Sequence, residues 1–263
     1  MPFEPKKMPV MDHLSELRRR ILIVVVSLLV AAIVIYFFSA DLVRFLIIPI
    51  SKYLPGFGTN ELNVLNPLGG FTLRFKVSLV AGFMVTAPIW IWNLLAFFVP
   101  ALKPNERKWV LPTFFAGVAL FILGNVFCYF IILAPAFEWM LAQTAEFATV
   151  LPDAYSYVNL ILGFEVAFGL AFELPLVIFY LIVFNIVPYK KFRSYWRVIY
   201  IVLMIVCAFV TPDASPVTML LLFAAMISLY EVSLALAKLV LRKRIARQKE
   251  LEAAEAGELD GDA

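Results

Sequence analysis

Long apolar runs are the feature that most limits what this chain can fold into. Hydrophobic residues make up 63% of its 263 positions, and the mean hydropathy of +0.92 is far above that of a soluble domain. The runs are continuous and do not show the ten-residue alternation of a membrane barrel, so they predict membrane-spanning helices. We therefore expect an all-α, polytopic membrane protein whose backbone polar groups bond within each helix.

Six spans can be drawn, covering residues 21–38, 73–99, 109–133, 157–187, 195–210 and 217–239. Pro88, Pro112 and Pro175 lie inside or near the start of spans, where the missing backbone donor predicts kinks. The stretch 135–156 begins with a proline and is expected to be a loop. The fifth span has about 16 residues, or roughly 24 Å, which is less than the bilayer core of about 30 Å.

Basic residues indicate the orientation of these spans. Eighteen of the 22 Lys and Arg residues lie in the N-terminal segment, in the loops after the second and fourth spans, and in the tail. The positive-inside rule therefore places both termini in the cytoplasm. We expect a cytoplasmic amphipathic segment at 1–20, a six-span transmembrane domain at 21–241, and a charged cytoplasmic tail at 242–263 that is disordered towards its end.

Two acidic residues, Glu165 and Glu173, lie inside the fourth span. A carboxylate near the bilayer centre costs roughly 2.5–3.5 kcal/mol on insertion scales, so such residues usually face a bundle interior or a wet cavity. Eight helical residues bring the second side chain to within about 80° of the first, so both can line one groove. We therefore predict that these two glutamates offer negative charge to a binding partner within the membrane.

Signals of enzymatic chemistry are nearly absent. His13 is the only histidine and lies outside the spans, and the sequence has no H-E-x-x-H, G-x-S-x-G or phosphate-binding glycine motif. Cys128 and Cys207 lie in different spans without metal-ligand neighbours, which indicates packing roles. Glu231, near the end of the sixth span, is expected to turn towards Lys238. The sequence predicts a binder or conductor, with no catalytic residue, metal or cofactor.

Two polar segments flank the spans on the basic side. Met11, Leu14, Leu17 and Ile21 recur at helical spacing, which predicts an amphipathic helix leading into the first span. From spacing alone, the glutamate of each segment is expected to pair with a basic residue of the same segment. Glu16 would pair with Arg20 four residues on, and Glu106, in the loop after the second span, would be neutralised by Arg107 or Lys108.

Four sequence blocks carry a resemblance to a known family. They are H-L-x-E-L-R-x-R at 13–20, F-x-x-P-A-L-x-x-x-E-R at 97–107, A-F-G-x-x-F-E-x-P at 167–175, and T-P-D at 211–213. In this order, the blocks resemble those of the C subunit (TatC) of the twin-arginine protein translocase. The resemblance covers nearly the whole chain apart from the acidic tail.

The resemblance implies a cup-shaped bundle of six helices in the inner membrane, with both termini cytoplasmic. Its partners would be twin-arginine signal peptides of folded cargo proteins, small single-span subunits and further copies of itself, with transport driven by the proton-motive force. The signal-peptide-binding residues that it implies are Glu16, Arg18, Phe97 and Glu106. Glu173 would be the intramembrane glutamate of the concave face, and Glu165 an additional acid that only some members carry. Pro49, Pro88 and Asp213 match other functionally sensitive positions.

The chemistry of the residues agrees with this function. A guanidinium forms two parallel hydrogen bonds with a carboxylate, which a lysine cannot reproduce, so two separate carboxylates could select two neighbouring arginines. The alternative is a proton- or cation-coupled transporter of small solutes in which Glu165 and Glu173 form a relay. The absence of visible internal symmetry and of histidine or basic partners in the spans argues against that alternative.

Overall fold

The computed structural model describes residues 10–53, 62–98, 107, 110–145, 152–183, 187–213 and 215–240. The described chain is nearly all helical, which confirms the predicted fold class. In order, the elements are α1 (Val10–Tyr36), α2 (Ser39–Ile47), a 3₁₀ helix (Ile48–Tyr53), α3 (Gly69–Val85), α4 (Ala87–Phe98), α5 (Val110–Phe127), a π-helical turn (Cys128–Ile132), α6 (Leu133–Ala145), α7 (Ala154–Ala171), α8 (Leu174–Val183), α9 (Tyr189–Ser194), α10 (Trp196–Val210) and α11 (Pro216–Val240).

Two predicted spans are broken where their sequences carry proline. α3 and α4 meet at Thr86 with a bend of 54°, and Pro88 occupies the first turn of α4, where no intrahelical donor is needed. The Thr86 hydroxyl donates to the carbonyl of Gly82 at 2.7 Å. α7 ends at Ala171 and α8 begins at Leu174, with Pro175 again in the first turn. The kink predicted at Pro88 is confirmed, and α7 is interrupted next to Pro175 as predicted, whereas Pro112 lies in the first turn of α5 (Val110–Phe127).

The third span is longer than expected. α5, the π-helical turn and α6 form a continuous helix of 36 residues over Val110–Ala145, so the loop predicted from residue 135 was wrong over its first eleven positions. Pro135 would normally clash with the carbonyl four residues back. Here the turn before it is widened, and the N–H of Leu133 bonds to the carbonyl of Cys128, five residues back. The wider turn explains how the helix passes through the proline.

The number of membrane-crossing helices agrees with six spans. In the described chain, α1, the long α5–α6 helix, α7–α8 and α11 are each long and apolar enough to cross, and the bent α3–α4 pair can make a fifth span. α10 has 15 residues, or roughly 22 Å at 1.5 Å per residue. It is the short fifth span that the sequence predicts.

Glycines allow the central helices to pack closely. A Cβ atom on Gly124 of α5 would lie 2.8 Å from the carbonyl oxygen of Phe168 on α7, and one on Gly169 would lie 2.8 Å from Asn125 Nδ2. α1 crosses α3 in the same way, because a Cβ on Gly82 would lie 3.1 Å from the backbone nitrogen of Ala32. These approaches hold α7 in the centre, against α3 and α5.

A backbone bridge ties the starts of α3 and α7 together at one end of the bundle. The N–H of Asn63 bonds to the carbonyl of Pro152 at 3.0 Å, and the N–H of Ala154 bonds to the carbonyl of Asn63 at 2.9 Å. Asp153 caps α7, accepting bonds from the Ser156 hydroxyl at 2.7 Å and the Ser156 N–H at 3.0 Å. These bonds hold the pKa of Asp153 below its ordinary value.

Candidate functional site

The first candidate residue, Glu16, lies on α1 ahead of the apolar part of the helix. Its side chain is half-buried and pairs with Arg20, whose Nε lies 3.2 Å from Glu16 Oε1 and whose Nη2 contacts the same oxygen. This is the pairing that spacing alone predicts. An i,i+4 ion pair on a helix is worth only about 0.3–0.5 kcal/mol. Arg18, two positions away, is exposed.

The remaining residues of the predicted patch are only partly described. Phe97 is half-buried in the last turn of α4, whereas Glu106 lies outside the described residues. α1 and α3 cross at Ala32 and Gly82. Glu16 lies sixteen residues before this crossing, roughly 24 Å back along α1, and Phe97 lies eleven residues after the bend at Thr86, roughly 16 Å along α4. α1 packs against α4, and Arg19 and Ile89 are among the residues that line the groove between them.

An open groove of about 660 Å³ runs between α1 and α4. One wall is the apolar face of α1 from Leu22 to Ala31, the other contains Thr86 and Ile89, and Arg19 stands at its mouth. The hydroxyls of Ser27 and Thr86 bond to carbonyls of their own helices, so they leave the groove apolar. The groove lies beside the 54° bend between α3 and α4, and α1 packs against both of these helices.

Glu173 lies in the two-residue break between α7 and α8. Its carboxylate is close to α5, because a Cβ built on Gly117 would lie 3.4 Å from Glu173 Oε2. Its other oxygen, Oε1, is buried and accepts no hydrogen bond from any described group. The side chain as a whole is only half-buried. It therefore presents an unpaired hydrogen-bond acceptor within the apolar part of the bundle.

Glu165 has different surroundings. Its side chain is 3% exposed, and it lies close enough to Cys128 and Tyr129 of the π-helical turn to act on them electrostatically. The regular α-helix is interrupted at Phe172 and Glu173, so the second glutamate lies in a turn and not on the helix that carries the first. Glu173 is partly accessible, whereas Glu165 is enclosed.

The other predicted positions have separate surroundings. Pro49 is half-buried in the 3₁₀ helix, and Pro88 is exposed on α4. Asp213 is buried between α10 and α11, where both its oxygens accept from the Thr218 hydroxyl at 2.8 Å. This bond fixes the connection between the fifth and sixth spans.

One polar contact differs from the sequence-based expectation, and a second was not predicted. Glu231 does not turn to Lys238; it accepts from the Tyr200 hydroxyl at 2.9 Å and from Arg193 at 3.4 Å. Lys76 of α3 donates to Asn159 Oδ1 at 2.5 Å, across the interface with α7. A lysine and an asparagine, each within an apolar run, are the signal that could have indicated the second contact.

Comparisons with known proteins agree with this architecture. The sequence model of the family described as Sec-independent protein translocase protein (TatC) matches residues 12–224. The Sec-independent protein translocase protein TatC of Aquifex aeolicus is 31% identical over 92% of this chain and all of its own length. The protein of the same name from Deinococcus radiodurans is 31% identical over 90% of this chain and 88% of its own length.

Solved structures extend the likeness to three dimensions. A crystal structure of the twin-arginine translocase receptor TatC in DDM superimposes with a TM-score of 0.72 at 29% identity, covering 86% of this chain and 99% of that one. A second crystal structure of the TatC receptor gives a TM-score of 0.70 at 30% identity. The family consists of translocase subunits, which agrees with the expectation of a chain that is not an enzyme. The chain belongs to the TatC family, and it is a multi-pass membrane subunit of the Sec-independent, twin-arginine protein translocase.

Proposed function

We propose that this chain is the signal-peptide receptor of its translocase, binding cargo proteins whose signal peptides carry paired arginines. The observation that carries the proposal is a half-buried carboxylate, Glu16, whose described ion pair is an i,i+4 contact with Arg20, three residues before Arg19 at the edge of an apolar groove. Such a pair is worth only about 0.3–0.5 kcal/mol. A visiting guanidinium that forms two parallel hydrogen bonds therefore competes with Arg20 for this carboxylate.

The groove between α1 and α4 suits the apolar stretch of such a peptide. From Arg19 to Ala31, α1 covers twelve residues, or roughly 18 Å. Signal peptides have apolar regions of about 7–15 residues, so a helical region of this kind fits the length of the wall. The arginines preceding it would then lie beside Glu16 and Arg18, with Phe97 contributing from the last turn of α4 and Glu106 from the segment that follows.

Glu173 supplies a further polar contact deeper in the membrane. Its half-buried carboxylate, with one oxygen unpaired, offers an acceptor to a polar group of a bound peptide or of a partner helix. Glu165 is enclosed and takes no part in this contact.

The proposal includes the setting of the receptor. We place it in the inner membrane with both termini in the cytoplasm, in a complex with single-span subunits and further copies of itself, driven by the proton-motive force. Residues 1–20 form the cytoplasmic part of the receptor patch, 21–241 the membrane domain and 242–263 a charged tail. Pro49, Pro88 and Asp213 maintain the connections that position these helices.

Binding of a synthetic signal peptide tests the function. The purified full chain in nanodiscs should bind an Arg-Arg peptide and lose about ten- to a hundredfold in affinity when the peptide carries Lys-Lys, because lysine cannot form the bidentate bond. Glu16→Gln and Glu106→Gln should each cause a comparable loss. Asp41→Asn is the matched control, since this acid is exposed and paired with Arg44. Equal affinity for both peptides would refute the receptor assignment.

A further inference from the structure

Glu165 is a buried acid that the receptor function does not use. It lies on α7 among side chains that are almost completely enclosed, including Ile161, Phe164 and Phe168, and is itself 3% exposed. Its Oε1 atom accepts no hydrogen bond from any described group. α7 is the central helix, packed against α3, α5, the π-helical turn, α10 and α2, so this carboxyl group is almost completely enclosed by protein.

The described titratable and charged groups on the surrounding elements form no ion pair with Glu165. Cys128 and Tyr129 lie close enough to interact with it electrostatically, and the Tyr129 hydroxyl donates to the carbonyl of Phe45 at 2.8 Å. Lys76 of α3 donates to Asn159 and Tyr155, nearer the start of α7.

The other neighbours offer no charge either. α10 contributes the buried thiol of Cys207, and the charged pair of α2, Asp41 and Arg44, is exposed. α5 contributes the amide of Asn125, whose Nδ2 donates to the carbonyl of Phe121.

A carboxylate in such a place would lose its hydration without gaining a donor or a cation, and a buried acid in that position keeps its proton instead. We propose that Glu165 is a proton-binding site in the membrane interior, occupied while α7 is packed as it is here. Release of the proton requires water to reach the carboxyl group through a separation of α7 from its neighbours. The site thus ties proton occupancy to the packing of the central helix, independently of signal-peptide binding.

Infrared spectroscopy of the full chain in lipid bilayers tests the proposal. Near neutral pH, the wild-type protein should show the C=O stretching band of a protonated carboxyl group, and Glu165→Gln should lose it. Glu173→Gln is the matched control, since it removes an acid from the same span and should leave the Glu165 band in place. A spectrum unchanged by Glu165→Gln would overturn the proposal.

Thermal unfolding gives a second test, because a purely structural role of Glu165 would not make the melting-temperature difference depend on pH. The unfolded chain loses this proton above about pH 4.3, where an exposed glutamate ionises, so folding weakens as the pH rises from there until the folded protein also releases the proton. Glutamine removes this pH dependence. The wild-type protein should therefore lose melting temperature relative to Glu165→Gln as the pH increases. A difference that stays constant with pH would contradict the proposal. If the glutamine variant does not fold, Glu165→Met serves as the uncharged replacement of similar volume.

Discussion

At the scale of single residues, two acids that look equivalent in the sequence have different roles in the fold. Glu165 and Glu173 share a predicted span, and their spacing predicts one groove. The structure encloses Glu165 and leaves Glu173 partly open in a helix break. The sequence could show that both are costly in a membrane. It could not separate them, because burial depends on which helices pack against α7.

The pairing of Glu16 with Arg20 leads to the first prediction. If Arg20 competes with the visiting arginines, Arg20→Gln should free the carboxylate and raise the affinity for an Arg-Arg peptide about twofold, as expected from the weak i,i+4 pair. Peptide titration by fluorescence anisotropy measures this change. Arg44→Gln, which removes the arginine of the exposed Asp41 pair, should leave the affinity unchanged. A fall in affinity for Arg20→Gln would show that Arg20 itself contributes to binding.

At the scale of helices, features set by neighbouring residues were predicted correctly, whereas features set by the surrounding fold were not. Pro88 and Pro175 were correctly predicted to break their spans, because the lost donor and the ring clash act within one turn. Pro135 was misread as the start of a loop, since the π-helical turn that accommodates it leaves no mark in the apolar pattern. The Lys76–Asn159 contact was missed for a related reason: it joins residues 83 positions apart.

Close packing of α5 on α7 gives the second prediction. Gly124→Ala places a methyl group 2.8 Å from a backbone oxygen of α7, so a helix must shift, and the change should cost about 1–3 kcal/mol. Gly163→Ala is the matched control on α7, because its Cβ meets nothing within 4 Å. It should be neutral or slightly stabilising. Thermal unfolding in detergent compares the two, and equal melting temperatures would contradict the packing described.

The cap of α7 gives the third prediction. Asp153→Ala should destabilise the protein by about 1 kcal/mol, whereas Asp153→Asn keeps a capping oxygen and should lose less. Because the folded-state pKa of Asp153 is lowered, its contribution is present above the ordinary pKa of aspartate and is lost as the pH falls through the folded-state value. The melting temperatures of wild type and Asp153→Ala should therefore converge in acid. A gap that widens in acid would contradict the cap.

At the scale of the whole molecule, charge and hydropathy predicted most of the architecture. The apolar runs gave the correct fold class and most of the helix positions, because a lipid environment allows few other structures. The groove between α1 and α4 could not be predicted. It lies beside the bend at Thr86 and next to the close crossing at Gly82, and neither the angle nor the crossing is encoded in composition. The orientation of the bundle remains a prediction from the basic residues.

Cysteine labelling tests that orientation. Leu65, just before α3, is 64% exposed and lies at the end where the bridge between Asn63 and Pro152 joins the starts of α3 and α7. Ser194 is exposed at the end of α9, beyond the far end of the α7–α8 span. The native Cys128 and Cys207 are both buried, so they should contribute little background.

With both termini in the cytoplasm, a membrane-impermeant maleimide added to spheroplasts should label Leu65→Cys and leave Ser194→Cys unlabelled until the membrane is broken. Inverted vesicles should give the opposite pattern, because they expose the cytoplasmic face. If Ser194→Cys reacted first in spheroplasts, Arg18, Arg19 and Arg20 would lie on the outer face. Glu16 would then be out of reach of a signal peptide arriving from the cytoplasm, so this measurement tests the receptor function as well as the topology.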